Sequence, residues 1–253
     1  MKIISLIENT SGRKNIKCEH GLSLYIEASG HKILFDMGQS ESFAENAKKL
    51  GIDLREVDIA ILSHGHYDHG GGLSKFLEIN KNAPIYLRKE SFLPYFNGEK
   101  YIGLDSSLSE SERLIFVEGD FVISEGLVLS VLDSAVLESS SLLTMREGRL
   151  IPDRFDHEQY LIINEGGKRV LVSGCSHKGI LPIIEKYKPK VMIGGFHFMN
   201  MALDSSLSER AGRLNNADCD YYTCHCTGLE QFNFIKSYIE RIKYLSAGDS
   251  VEI

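Results

Sequence analysis

From position 63 the chain reads Ser63-His64-Gly65-His66-Tyr67-Asp68-His69-Gly70-Gly71-Gly72, so three imidazoles and one carboxylate fall within six consecutive residues. His64 and His66 stand two apart, and in extended backbone such residues point the same way. Asp68 and His69 follow closely enough to form a second pair beside the first. Imidazole and carboxylate together suit Zn, Fe or Mn, and two such pairs suggest a two-metal site. The glycines let the backbone turn tightly and open a helix whose N-terminus favours anions. A surface loop that is merely rich in histidine is the plainer alternative; four ligand-type side chains on one strand-to-helix junction argue against it.

That junction follows from the flanking residues. Positions 57–62 form an apolar run that reads as a buried strand, and 73–79 carries apolar residues at helical spacing. Before it, 2–8 reads as a strand, 9–19 as a polar loop over the site, and 22–27 and 32–36 as a hairpin turning at 29–32. Residues 40–50 suit a helix with Phe43, Ala47 and Leu50 on one face and Gly51 as its stop. After a strand at 84–87 the pattern weakens. Residues 88–111 mix aromatics and charges and read as an insertion or lid near the cleft, with plain aromatic packing the alternative. Strands follow at 115–117, 121–123 and 127–132, then a long polar loop over 137–154.

The second half repeats the logic of the first. A hairpin over 160–173 ends in Gly174-Cys175-Ser176-His177, a strand at 190–195 delivers Phe196-His197, and another at 220–223 ends in Cys224-His225-Cys226. Helices are expected at 180–187, 205–216 and 229–238. Two similar β-rich halves with helices outside fit a sandwich. The hexapeptide Asp-Ser-Ser-Leu-Ser-Glu occurs at 105–110 and again at 204–209, and its unlike surroundings make it a repeated helix-start signal rather than a duplication.

His64-x-His66-x-Asp68-His69, with Leu62-Ser63 before it and Gly70-Gly71-Gly72-Leu73 after it, resembles the signature of the metallo-β-lactamase superfamily. Further motifs around His20, at Asp36-Met37-Gly38, Gly174-Cys175-Ser176-His177, Gly195-Phe196-His197 and Cys224-His225-Cys226 are similar to the subgroup that includes the archaeal dihydropterin–ribofuranosylaminobenzene phosphate synthases. The resemblance implies an α/β fold, a four-layer αββα sandwich, as one domain over 1–253. It implies two divalent ions, Zn first with Mn or Fe as alternatives: one held by His64, His66 and His177, the other by Asp68, His69 and His225. Asp36 then supports the metal loop by hydrogen bonding from behind.

Two departures from the family pattern matter. Where the family usually has a bridging aspartate, this chain has Cys175, which can ligate as a thiolate, sit behind the ligands or merely pack, the last two being the expectation. His157 competes with His177 for the histidine near that strand. A Cys₂His zinc site at Cys224-His225-Cys226 is disfavoured, because no second cysteine pair completes it. The implied activity is that of a metal-dependent hydrolase in which a metal-bound hydroxide attacks a phosphorus or carbonyl centre. Asp68 orients the nucleophile, and His20, Lys178 and His197 contact a small anionic substrate, His197 with a catalytic role as well. The alternatives are a pterin-type synthase that forms a C–N bond and releases pyrophosphate, an iron redox enzyme, and a metal-binding protein without activity.

Composition bounds the rest. At 253 residues, with 43% hydrophobic and 25% charged residues, one sizeable core is expected. The net charge of −7 argues against general nucleic-acid binding and against an anionic membrane surface. Five cysteines are an odd number, and Cys175, Cys224 and Cys226 stand close to histidines, which suggests reduced thiols and a cytoplasmic location. No apolar run approaches the ~20 residues needed to span a bilayer.

Overall fold

The computed structural model describes residues 1–133 and 141–253. Along the chain come β1 (Lys2–Ile7), β2 (Ser23–Ala28), β3 (His31–Phe35), α1 (Ser42–Lys49), β4 (Ile59–Ile61), α2 (Tyr67–Gly70), α3 (Leu73–Ile79) and β5 (Ile85–Arg88). Then follow β6 (Tyr95–Asn97), β7 (Lys100–Tyr101), β8 (Leu114–Val117), β9 (Phe121–Ser124), β10 (Leu127–Ser130), β11 (Leu142–Arg146) and β12 (Arg149–Pro152). The remainder is β13 (Tyr160–Glu165), β14 (Lys168–Val172), α4 (Ile180–Tyr187), β15 (Val191–Gly194), α5 (Ser205–Asn215), β16 (Asp220–Thr223), α6 (Leu229–Ile235), β17 (Ile242–Tyr244) and β18 (Ser250–Glu252).

Two seven-stranded sheets result, ordered β18-β1-β2-β3-β4-β5-β8 and β17-β16-β15-β14-β13-β10-β9. Each begins with antiparallel hairpin pairing and continues as four parallel strands, β3-β4-β5-β8 in one and β14-β15-β16-β17 in the other. Ile26, Ile33, Phe35 and Ile61 of the first sheet meet Leu129, Leu161, Val170 and Ile193 of the second in one inter-sheet core. On the outer face of the first sheet, Leu34, Ala60 and Ile85 pack under Phe43, Leu73 and Phe76. On that of the second, Leu171 and Met192 pack under Ile180, Ile184, Leu207 and Ile235. Strands covered on both faces need apolar residues at every position, which is why 59–62 and 191–193 read as unbroken apolar runs. Each fully buried Leu, Ile or Phe contributes about 1.5–3 kcal/mol against leaving it in water. The layers are therefore α, β, β, α, as expected.

Parallel strands bring their carboxyl ends to one edge, and that edge is where α/β sheets bind ligands. The loops after β4, β14, β15 and β16 all open there. The repeated hexapeptide starts a short 3₁₀ helix at Ser106–Glu110 and α5 at Ser205–Asn215; Asp105 and Asp204 each cap their helix by accepting from a backbone N–H at 2.9 Å.

One expectation fails. The sequence pattern predicts a loop over 137–154, yet 142–152 form the hairpin β11–β12, which turns through Glu147 and Gly148 in left-handed backbone; positions 137–140 lie outside the described residues. The strands escape notice because their partners lie far away in sequence. Leu143 pairs with Phe96, so 88–111 and 142–152 build a third sheet ordered β12-β11-β6-β7.

Candidate metal centre

His64 and His66 stand on the loop between β4 and α2, and Asp68 and His69 on the single turn of α2. Gly65, Gly70, Gly71 and Gly72 all have negative φ, so conformational freedom is not their use. They allow close approach: a Cβ on Gly65 would lie 2.1 Å from the Ser91 carbonyl oxygen, and one on Gly72 2.3 Å from that of Met37. The N–H groups of Gly65, Gly70, Gly71 and Gly72 go to His157, His66, Tyr67 and Gly38, so these four donors are not offered to an anion.

Asp36 braces the loop from the end of β3. Its carboxylate accepts from the Ser63 N–H and the Ser63 hydroxyl, both at 2.7 Å, and from His69 Nδ1 at 2.6 Å. With its proton committed to Asp36, the Ser63 hydroxyl must accept from His64 Nδ1 at 2.8 Å. Across the cleft, His225 Nδ1 donates to Asn9 Oδ1 at 2.8 Å. These contacts fix the tautomers of His64, His69 and His225, and leave the Nε2 lone pair of each pointing into one space.

The lone pairs converge. His64 Nε2 lies 3.3 Å from His177 Nε2, and His69 Nε2 lies 3.2 Å from His225 Nε2. Asp68 Oδ2 stands 3.3 Å from His225 Nε2 and 3.2 Å from His20 Nε2. The donor atoms of His64, His66 and His177 lie within 4.8 Å of one another, as do those of His20, Asp68 and His225. His69 Nε2 and His225 Nε2 face each other as acceptors, which repels unless a positive centre sits between them, so this donor set fits cations. Buried atoms without a partner among the described residues, His66 Nε2, His177 Nδ1 and His197 Nε2, add to the unsatisfied polarity.

Burial sets the charge states. It pushes the pKa of His64 and His177 well below the usual imidazole value, with repulsion from neighbouring histidines adding to it. His66 falls to about 3 through burial and the neighbouring His157. His197 and His225 fall to about 4 through burial, against the pull of Asp68. Burial also opposes the charged form of His69, but Asp36 and Asp68 outweigh it and raise its pKa. Burial likewise opposes ionisation of Asp68, yet His69, His20 and His225 hold it well below the carboxylate range. Mostly neutral imidazoles around an anionic carboxylate are the protonation state that cation binding requires.

The second half holds its residues differently. Ser176, His197 and His225 all have left-handed backbone, with φ of 57°, 57° and 48°. Such conformations cost of order 1–3 kcal/mol and persist only where the surroundings impose them. Two buried carboxylates hold the backbone just after Ser176 and at His225. Glu158 accepts from the N–H of His177 at 2.7 Å and of Lys178 at 3.1 Å, and Glu8 accepts from the N–H of His225 at 2.7 Å. Burial raises the Glu158 pKa despite these bonds. Phe155 stacks flat on His177 with centroids 4.3 Å apart, and His197 meets the same imidazole edge-on at 4.3 Å.

His157 is not free for such a role. Its Nδ1 accepts from the Gly65 N–H at 2.8 Å and its Nε2 donates to Asp153 at 3.0 Å, so both nitrogens are spent on holding the loop that carries His64 and His66. Lys178 is a correction. Its ammonium is buried against the Leu132 carbonyl at 2.6 Å and does not reach the cavity. Cys175, for which ligation, packing and a place behind the ligands all stood open, puts its sulfur 3.2 Å from His69 Nε2.

The cavity above these groups measures about 600 Å³ and is lined by His20, His66, Asp68, His177, His197 and His225, together with Asn97, Lys100 and Ile102 from the 88–111 stretch. Lys100 donates to the Tyr67 hydroxyl at 3.1 Å and brings to the mouth the cation that Lys178 does not. Sequence reasoning missed Asn9, Glu8, Glu158, Asp153 and Lys100. A carboxylate ending an apolar strand, as Glu8 does, is the one signal it left unused.

The family model described as the metallo-beta-lactamase superfamily matches residues 16–211. A Methanocaldococcus jannaschii protein named 7,8-dihydropterin-6-methyl-4-(beta-D-ribofuranosyl)-aminobenzene-5'-phosphate synthase is 29% identical over 100% of this chain and 96% of its own length. An uncharacterised protein of the same organism is 29% identical over 94% of this chain and 97% of its own. The crystal structure of Tm1679, described as a metal-dependent hydrolase of the beta-lactamase superfamily, superposes with a TM-score of 0.86 at 30% identity, covering 100% of this chain and 99% of that one. With the family model spanning most of its length and the four-layer sandwich beneath it, the chain belongs to the metallo-β-lactamase superfamily.

Proposed function

We propose that this protein is a dinuclear metal-dependent hydrolase of a small phosphorylated or otherwise anionic molecule. The observation that carries this reading is the pair of facing imidazole contacts, His64 to His177 and His69 to His225, with the anionic Asp68 beside the second. His64, His66 and His177 would hold one ion, and Asp68, His69 and His225 the other. Zn is the first expectation, since imidazole and carboxylate donors suit it, and Mn or Fe would also fit. When bound, such a pair lowers the pKa of water and polarises the bond under attack.

The chain's own groups do the rest. Asp36, Asn9 and Ser63 fix the tautomers, so that the site is organised before substrate arrives. Asp68, held anionic, accepts the hydrogen bond of the attacking water and takes its proton. His197 presents a neutral imidazole to the substrate, and His20 and Lys100 supply donors at the mouth for phosphate or carboxylate oxygens. Metal-depleted protein, reconstituted with Zn, Mn or Fe, should cleave members of a panel of phosphomonoesters, phosphodiesters and lactones, and His66→Ala should abolish that activity and lower the metal content. Full activity in His66→Ala would refute the assignment.

A second reading is favoured by the synthase name of one relative: C–N bond formation between a pterin and an aminobenzene ribofuranosyl phosphate. Pyrophosphate release without hydrolysis of any panel member would establish it in place of the first.

A further inference from the structure

Asp36 is not the only buried carboxylate beside the donor loop. Asp153 follows β12 and is 3% exposed. Its backbone N–H donates to the Leu142 carbonyl of β11 at 2.9 Å, which ties it to the third sheet. Its Oδ1 accepts the Phe155 N–H at 2.8 Å, and its Oδ2 accepts from His157 Nε2 at 3.0 Å. His157 has no choice of tautomer, because the Gly65 N–H occupies its Nδ1. Tyr95 lies stacked on the same ring, with centroids 4.0 Å apart. Burial opposes the ionisation of Asp153, but His157 and the Phe155 N–H hold its pKa below the usual carboxylate value. A carboxylate oxygen has two lone-pair sites, and on Oδ2 the His157 bond uses one. His66 Nε2 stands 3.9 Å from that oxygen, buried and without a partner among the described residues. Among those residues Asp153 is the one carboxylate within 4.0 Å of a His66 ring nitrogen.

We propose that Asp153 is a positioning residue of the metal centre: it keeps the proton of the neutral His66 ring on Nε2, so that Nδ1 is free as a donor, and through His157 it fixes the backbone of the donor loop at Gly65. This rests on the reading of His66 as a metal ligand and deepens it. A neutral imidazole carries one proton. With that proton on Nδ1, the Nε2 lone pair would face the Asp153 anion and repel it, and Nδ1 would be closed to any cation. With the proton on Nε2, the N–H points its positive end at the anion instead. At 3.9 Å the two groups are not hydrogen-bonded, but the field of a buried charge falls off only as the inverse of distance and still separates the two tautomers. One carboxylate of the second half thus acts on two imidazoles, as Asp36 acts on Ser63 and His69.

The test uses the full metal-free chain with isotopically labelled histidines near neutral pH, where proton–nitrogen correlation spectra report which ring nitrogen holds the proton. In the unmodified chain His66 and His157 should both be protonated on Nε2. Asp153→Asn leaves one acceptor oxygen for the N–H groups of Phe155, His157 and His66. His66 should then shift at least in part to the Nδ1–H tautomer, while His157 keeps its own because Gly65 still donates to it. Zn²⁺ affinity, read by competition with a chromophoric chelator, should fall about 10–100-fold at one of two sites. An unchanged His66 tautomer in Asp153→Asn overturns the role even if affinity falls, because a loosened loop weakens binding by itself; an unchanged affinity overturns it as well. In either case two Zn²⁺ bound by the unmodified chain leave the two-ion reading standing. Should Asp153→Asn fail to fold, the unmodified chain decides: a proton on His66 Nε2 supports the role, and one on Nδ1 overturns it. An unmodified chain that binds no Zn²⁺ overturns both readings.

Discussion

The two halves of the molecule share a topology and build their share of the centre in opposite ways. The first half offers four candidate donors from one loop, residues 64–69, and braces that loop through Asp36, which by itself takes three hydrogen bonds. The second half offers His177, His197 and His225 as candidates from three separate strand ends, with His177 held by Glu158 and His225 by Glu8 of the first half. Damage to the first half should therefore be collective, and damage to the second half local. The same sandwich supports both because its parallel strands end on one rim.

The sharpest break is Asp36→Ala. It orphans the Ser63 N–H, the Ser63 hydroxyl and His69 Nδ1 inside a dry core, and should cost about 3–5 kcal/mol in urea unfolding. A cost under about 1 kcal/mol would mean that Asp36 braces nothing. Glu158→Gln and Glu8→Gln should each cost about 1–3 kcal/mol, because one N–H loses its acceptor. They share no hydrogen-bond partner, so their costs should add within about 0.5 kcal/mol in the double variant, whereas Asp36→Asn with Ser63→Ala should not add.

Acid should weaken the metal-free chain. An unfolded histidine takes up its proton near 6.5, while His225 and His197 resist it until about 4 in the fold. Between those values the unfolded state binds more protons, so stability falls as pH drops from 6.5 toward 4, by about 1.4 kcal/mol per unit of depression and per histidine. Thermal melts across that window would show it, and a flat profile would contradict the burial that sets these values. The smallest effects separate two lysines. Lys100→Ala should raise KM for an anionic substrate several-fold, about 0.5–1 kcal/mol, with unchanged stability. Lys178→Met should leave KM alone and cost stability instead, because the Leu132 carbonyl loses its donor.

The same contrast explains what could be read in advance. A contiguous cluster announces itself, so the donors of the first half, the strand before them and the helix after them are legible in the sequence. The layers are legible too, because double-covered strands must be apolar throughout. His177, His197 and His225 are visible only as strand-end histidines, and their placing on one rim depends on strand order, which no local pattern carries. Cys175 stays ambiguous because burial and ligation look alike in sequence. Lys178 misleads because its neighbour His177 faces the cleft while its own ammonium is claimed by a carbonyl 46 positions away. The β11–β12 hairpin stays hidden because its partner strand β6 lies in the stretch that reads as a lid.

Whether both halves jointly hold two ions is decided most directly by metal content per chain, measured by mass spectrometry on protein purified without added metal. About two ions per unmodified chain are expected, with a loss of at least one in His177→Ala and in His225→Ala. A folded chain with no ion, or two ions retained when both histidines are replaced, would contradict the joint site.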